Sequence, residues 1–180
     1  MIDLRLPLLA TLCLASVACS SGPKKYVWDG RNSTIGATLT GGSSNLIRGV
    51  KTTAYTHTET DHLPYGVKCA LGSDLKYGTI RSAAADWSVY PAGTVFKVQG
   101  EPYLYQVDDY GSALVGTHTI DLYRPTAETM NQWGARKVNI DVIHWGSFSQ
   151  SLAIMKSGHN NPTHVAQMIS EIEKRTPPKS

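Results

Sequence analysis

From Val50 to Trp145 the apolar residues come in short separate runs, with Gly and Pro between them. Val50 to His57 is rich in Thr, Val and Tyr. Thr94 to Val98 alternates apolar with polar, Tyr103 to Val107 does so loosely, and Ile120 to Tyr123 is a brief apolar and aromatic run. Lys137 to Trp145 alternates again and puts Val138, Ile140 and Val142 on one face. A period of two marks half-buried strands, and many short strands between turn residues build a barrel or a sandwich. With 180 residues, 41% apolar and 17% charged, the chain has the length and balance of one globular core.

Three helices are expected beside the strands. Thr126 suits the N-cap of a short helix reaching Trp133, with Gly134 ending it. Phe148 to Ser157 forms a second, followed by Gly158. Pro162-Thr163 opens a third, in which Val165, Met168, Ile169 and Ile172 recur at helical spacing. Such a stripe docks a C-terminal amphipathic helix on a core.

The first nineteen residues have a different texture. Arg5 precedes a Leu- and Ala-rich stretch from Leu6 to Ala18, followed by Cys19. That stretch is shorter than the roughly 20 residues a spanning helix needs, and it reads as the apolar region of an export signal. Leu14-Ala15-Ser16-Val17-Ala18-Cys19 resembles a bacterial lipoprotein signal, cut before a cysteine that takes lipid. The resemblance implies a lipid anchor at Cys19, attachment to a membrane, and a domain facing the periplasm. The expected organisation is a signal over 1–19, a polar tether over 20–47, a β domain over 48–146 and a helical extension over 147–180.

A formal charge of +3 is too small for a nucleic-acid-binding face. Of the three cysteines, Cys13 falls in the signal and Cys19 at its cut, so Cys69 has no disulfide partner and reads as a buried thiol.

The chemistry is concentrated in an ordered set of short motifs. Thr53-Ala54-Tyr55 comes first, then Gly78-Thr79-Ile80 and Asp86. Pro91, Gly93 and Thr94 follow, then Asp109, Gly111, Ala113 and Gly116, then Ile120-Asp121 with Tyr123, and last Trp133-Gly134. The set resembles the 3D domain, named for three aspartates and found in membrane-bound lytic transglycosylase A and in small muralytic proteins. Ser112 departs from the family's usual second Gly, and Asp108 beside Asp109 leaves the second aspartate open to a shift of one.

The resemblance implies a mainly β fold: a six-stranded double-psi β-barrel with short helices. It also implies a peptidoglycan lytic transglycosylase, an enzyme without a cofactor or metal that cuts the MurNAc–GlcNAc β-1,4 bond. Asp121 takes the position of the catalytic acid and Asp109 stands beside it. Asp86, Thr53, Tyr55, Tyr110, Gly111, His118 and Tyr123 are the expected substrate-binding residues. A carboxyl group serving as acid and then as base must be protonated near neutral pH, a state favoured by burial and a neighbouring carboxylate. Two other readings compete. One is a barrel that binds glycan without turnover. The other is a metal-dependent hydrolase using His57, Asp61 and His62, though that segment lacks the helical spacing of a HExxH site.

Overall fold

The computed structural model describes residues 45–60, 62–158 and 162–175. The export signal, Cys13, the lipid anchor at Cys19, most of the tether and Asp61 lie outside the described residues.

Six strands form a closed barrel: β1 (Leu46–Tyr55), β2 (Ile80–Ala85), β3 (Val95–Val98), β4 (Leu104–Asp109), β5 (Ile120–Tyr123) and β6 (Arg136–His144). Around the barrel the order is β1-β5-β2-β4-β3-β6. The pairs β1·β5 and β2·β4 are parallel and the other four antiparallel. This mixed, crossed-over order is consistent with a double-psi barrel. Closure leaves no unpaired edge among these six strands.

The alternation read from the sequence sorts the two faces. Phe96, Val98, Tyr105, Val107, Ile120, Leu122, Ile140 and Val142 fill the interior. β1 begins at Leu46, ahead of the Val50 expected from its texture, because its first residues pair with β6 across an irregularity between Ile47 and Val50. There Gly49 adopts a positive φ of 67° and donates its amide to Asn139 Oδ1. β2 has no strand-like texture: its sequence, Ile80-Arg-Ser-Ala-Ala-Ala85, is poor in β-branched residues. It is a strand because it sits between β5 and β4, where small side chains let neighbouring layers approach.

Helices α1 (Ala127–Trp133), α2 (Phe148–Ser157) and α3 (Thr163–Arg175) match the expected spans. Thr126 Oγ1 accepts the Thr129 amide at 3.2 Å, and Gly134 closes α1 at φ 60° with its amide on the Met130 carbonyl. Val165, Met168 and Ile172 of α3 are buried in the core. The Trp87 amide reaches Met168 Sδ at 3.3 Å, and Arg175 Nη1 donates to the Ser88 carbonyl at 2.6 Å, so α3 is fixed to the turn after β2.

Candidate active site

One row of residues crosses four strands on the outer face of the barrel. Thr53 on β1 pairs with Asp121 on β5, Asp121 with Ala84 on β2, and Ala84 with Asp109 on β4. Directly opposed residues share a face, and neighbouring strands lie about 4.8 Å apart. The two aspartates thus flank one alanine, with their Cα atoms roughly 10 Å from each other.

A bulge decides which aspartate joins the row. Ala83 pairs with Val107 but Ala84 pairs with Asp109, so β4 carries one extra residue, Asp108. Asp108 is fully buried, and its Oδ2 accepts Lys76 Nζ at 2.6 Å and Ser82 Oγ at 2.8 Å. Burial lifts its carboxyl above the ordinary range, and Lys76 and Ser82 draw it partly back. The choice between the two neighbours, open in the sequence, falls to Asp109 for the row and to Asp108 for an internal ion pair.

Asp109 is held by three donors. Its Oδ1 accepts the amides of Ala70 and Tyr110 at 3.1 and 3.0 Å, and its Oδ2 accepts the Tyr55 hydroxyl at 3.1 Å. Burial raises its carboxyl above the usual range, against the pull of these hydrogen bonds. Burial first and Asp109 next hold the Tyr55 phenol well above its ordinary value, so Tyr55 stays protonated as the donor.

The chain between β1 and β2 roofs this face. Thr56 N donates to Glu59 Oε2 at 3.0 Å, Leu71 N to the Asp108 carbonyl, and Ser82 N to the Lys76 carbonyl. Beneath it, Tyr55, Ala84, Leu114 and Tyr123 form a small apolar cluster separate from the barrel interior. What remains is a cavity of about 120 Å³ lined by Tyr55, Glu59, His62, Asp109, Tyr110 and Asp121, with Ala84 in its wall. A space of that size takes reacting atoms and a few waters while the bulk of a ligand lies across the surface.

Of the expected site residues, Tyr55, Asp109, Tyr110 and Asp121 line the cavity, and Thr53 adjoins Asp121 in the row. Tyr123 stands behind Tyr55, ring to ring at 5.6 Å, and its hydroxyl is 2.8 Å from His57 Nδ1. Asp86 is elsewhere: it is buried, with Oδ1 on the Ser88 amide at 2.8 Å and Oδ2 on the Gly116 amide at 2.7 Å. It therefore pins the loop that leads into β5, and it does not line the cavity. Gly111 caps the single 3₁₀ turn Ser112–Leu114, and His118 is exposed on the loop after it; neither lines the cavity.

Two residues of the site had no role in the expected acid–base set. Glu59 and His62 reach the cavity from the roof. His62 packs its ring against Tyr55 at 5.6 Å and Tyr65 at 6.0 Å, and its Nε2 is buried with no hydrogen-bond partner among the described residues. A polar run with two histidines is the only sequence signal for it. Among the described residues, no three His, Cys, Asp or Glu side chains gather as ligands for a metal.

Residues 81–144 match the family model of the 3D domain. This stretch of the barrel is similar to the 3D domain. The matched stretch runs from β2 through β6 and holds Asp86, Asp109 and Asp121, two of which line the cavity. Thr53 and Tyr55 precede it on β1 and complete the same face. The 3D domain is a peptidoglycan-related, lytic-transglycosylase-like domain. Comparison with curated proteins gives no match.

Proposed function

We propose that the 3D domain of this chain is a peptidoglycan lytic transglycosylase, exported and held to a membrane by lipid on Cys19. The reading is carried by one observation. Two carboxylates line one cavity on one face, and one of them, Asp109, has both oxygens taken up by three donors.

With Asp109 held in this way, a single carboxyl group, Asp121, is left to move protons, where ordinary glycoside hydrolysis uses two. Asp121 protonates the glycosidic oxygen as the C1–O bond breaks. Asp109, still charged, faces the positive charge that develops at C1. The Asp121 carboxylate then takes the proton from the MurNAc C6 hydroxyl. That oxygen attacks C1 and closes a 1,6-anhydro ring, and Asp121 ends protonated again. No water is consumed.

The test is mass spectrometry of the products released from purified sacculi by the full chain in detergent, with Asp121→Asn alongside. The expected products are lighter than hydrolytic muropeptides by one water. The Asp121→Asn protein should release them about 10²–10⁴-fold more slowly. Reducing-end products would show hydrolysis instead. Retention on sacculi without any product would leave a glycan-binding barrel.

A further inference from the structure

A second cavity, of about 270 Å³, opens on the far side of Tyr110. Its walls are Ala70 and Tyr110 on the barrel side, Ile154 and Met155 of α2 with Ser157 at the rim, and Val165 of α3. Tyr110 lines both cavities. The two barrel-side residues are also the two whose amides hold Asp109 Oδ1, so the second cavity abuts the proposed reacting centre through its own backbone. The Tyr110 ring between them is braced, edge-on to Trp87 at 5.0 Å and against His164 at 5.9 Å.

The chemistry of this cavity differs from that of the first. Among the described residues no Asp, Glu, Lys or Arg lines it, and its surface mixes the apolar side chains of two helices with polar atoms of the backbone, Tyr110 and Ser157. A charged group would enter it without a counter-charge. A neutral sugar suits it: the C–H face of the ring packs on a tyrosine ring, and an acetamide methyl packs on aliphatic side chains. In a peptidoglycan strand the GlcNAc units have that character, whereas MurNAc carries a lactyl group ending in a carboxylate or a peptide.

We infer that the cavity between Tyr110 and helices α2 and α3 binds a neutral N-acetylhexosamine unit adjoining the scissile bond, so that the C-terminal helices form one wall of the strand-binding groove. The inference rests on the proposed function.

The experiment measures binding of peptide-free glycan di- and tetrasaccharides by calorimetry. The full chain carries Asp121→Asn to prevent turnover. Ile154→Phe fills the cavity from α2, and Ser157→Phe blocks it from the exposed rim without entering the core. The parent is expected to bind the tetrasaccharide about tenfold more tightly than the disaccharide, and each variant with an unchanged melting temperature to lose that gain. A gain that survives in both variants, or is missing in the parent, overturns the assignment. Anhydro products from the wild-type chain in that case would leave the proposed function standing. Their absence, with no binding of either sugar, would remove both.

Discussion

Asp109 and Asp121 are both cross-strand partners of Ala84, one from β4 and one from β5, so β2 spaces them by a single small residue. Asp109 is fastened by Tyr55 and two backbone amides, and both carboxylates line the same cavity. Four further expectations follow from this site and its supports.

Asp109→Asn separates charge from shape. The new amide keeps an oxygen for Ala70 and Tyr110 and turns its NH2 toward the Tyr55 oxygen. In the wild type, burial raises the folded-state pKa of Asp109 above the unfolded value of about 3.9. Its contribution to stability is whole below that value and is lost as pH rises through the folded-state pKa. Asparagine does not ionise, so the variant should gain stability relative to wild type as pH rises from 4 to 8, read by urea unfolding. Activity should fall about 10²-fold with the loss of the charge facing C1. A variant that loses ground to wild type with rising pH would refute the burial argument.

His62→Ala removes a buried nitrogen that lacks a hydrogen-bond partner among the described residues. Such a group costs stability, so its removal should leave the melting temperature unchanged or raised. If His62 serves a ligand, kcat/KM on glycan should drop about 2–10-fold, the worth of one hydrogen bond. Steady-state kinetics with unaltered kcat/KM would return His62 to a packing role.

Trp87→Phe tests the strut between α3 and the site. The indole Nε1 donates to the Asp109 carbonyl at 2.9 Å, in a side chain with no exposed surface. Phenylalanine leaves that buried carbonyl without its donor, at a cost of about 1–3 kcal/mol. Denaturant unfolding should show this loss, and a change below about 0.5 kcal/mol would mean that the bond contributes little.

Gly146→Ala probes the closure of β6 on the turn before β3. A Cβ there would stand 2.2 Å from the Ala92 carbonyl oxygen, 2.5 Å from that of Pro91 and 2.7 Å from Thr94 N. All three are backbone atoms, so the turn itself must move. The expected loss is about 1–3 kcal/mol or more, the range of overpacking, measured by thermal unfolding. A near-native melting temperature would show that this turn yields easily.

The barrel's inward face was written in local alternation. Val138, Ile140 and Val142 on β6, and Phe96 and Val98 on β3, point where a period of two requires. The caps at Thr126 and Gly134 and the stripe of α3 depend on neighbours within a turn or two, so they too were legible. Residue identity and order also sufficed to bring out the resemblance to the 3D domain.

β2 is a strand by virtue of its neighbours, because Ala83, Ala84 and Ala85 acquire extended pairing from β4 and β5 and not from their own propensity. Only the bulge at Asp108 sent Asp109 to the cavity and its neighbour to Lys76, since one inserted residue resets which side chain faces which partner. Asp86 was equally acidic in the sequence, but two backbone amides claim it in the fold. Which faces are apolar and which acids are present could be read along the chain, for those are local properties of the side chains. Which acids meet was decided by strand register and loop closure, which join residues far apart along the chain.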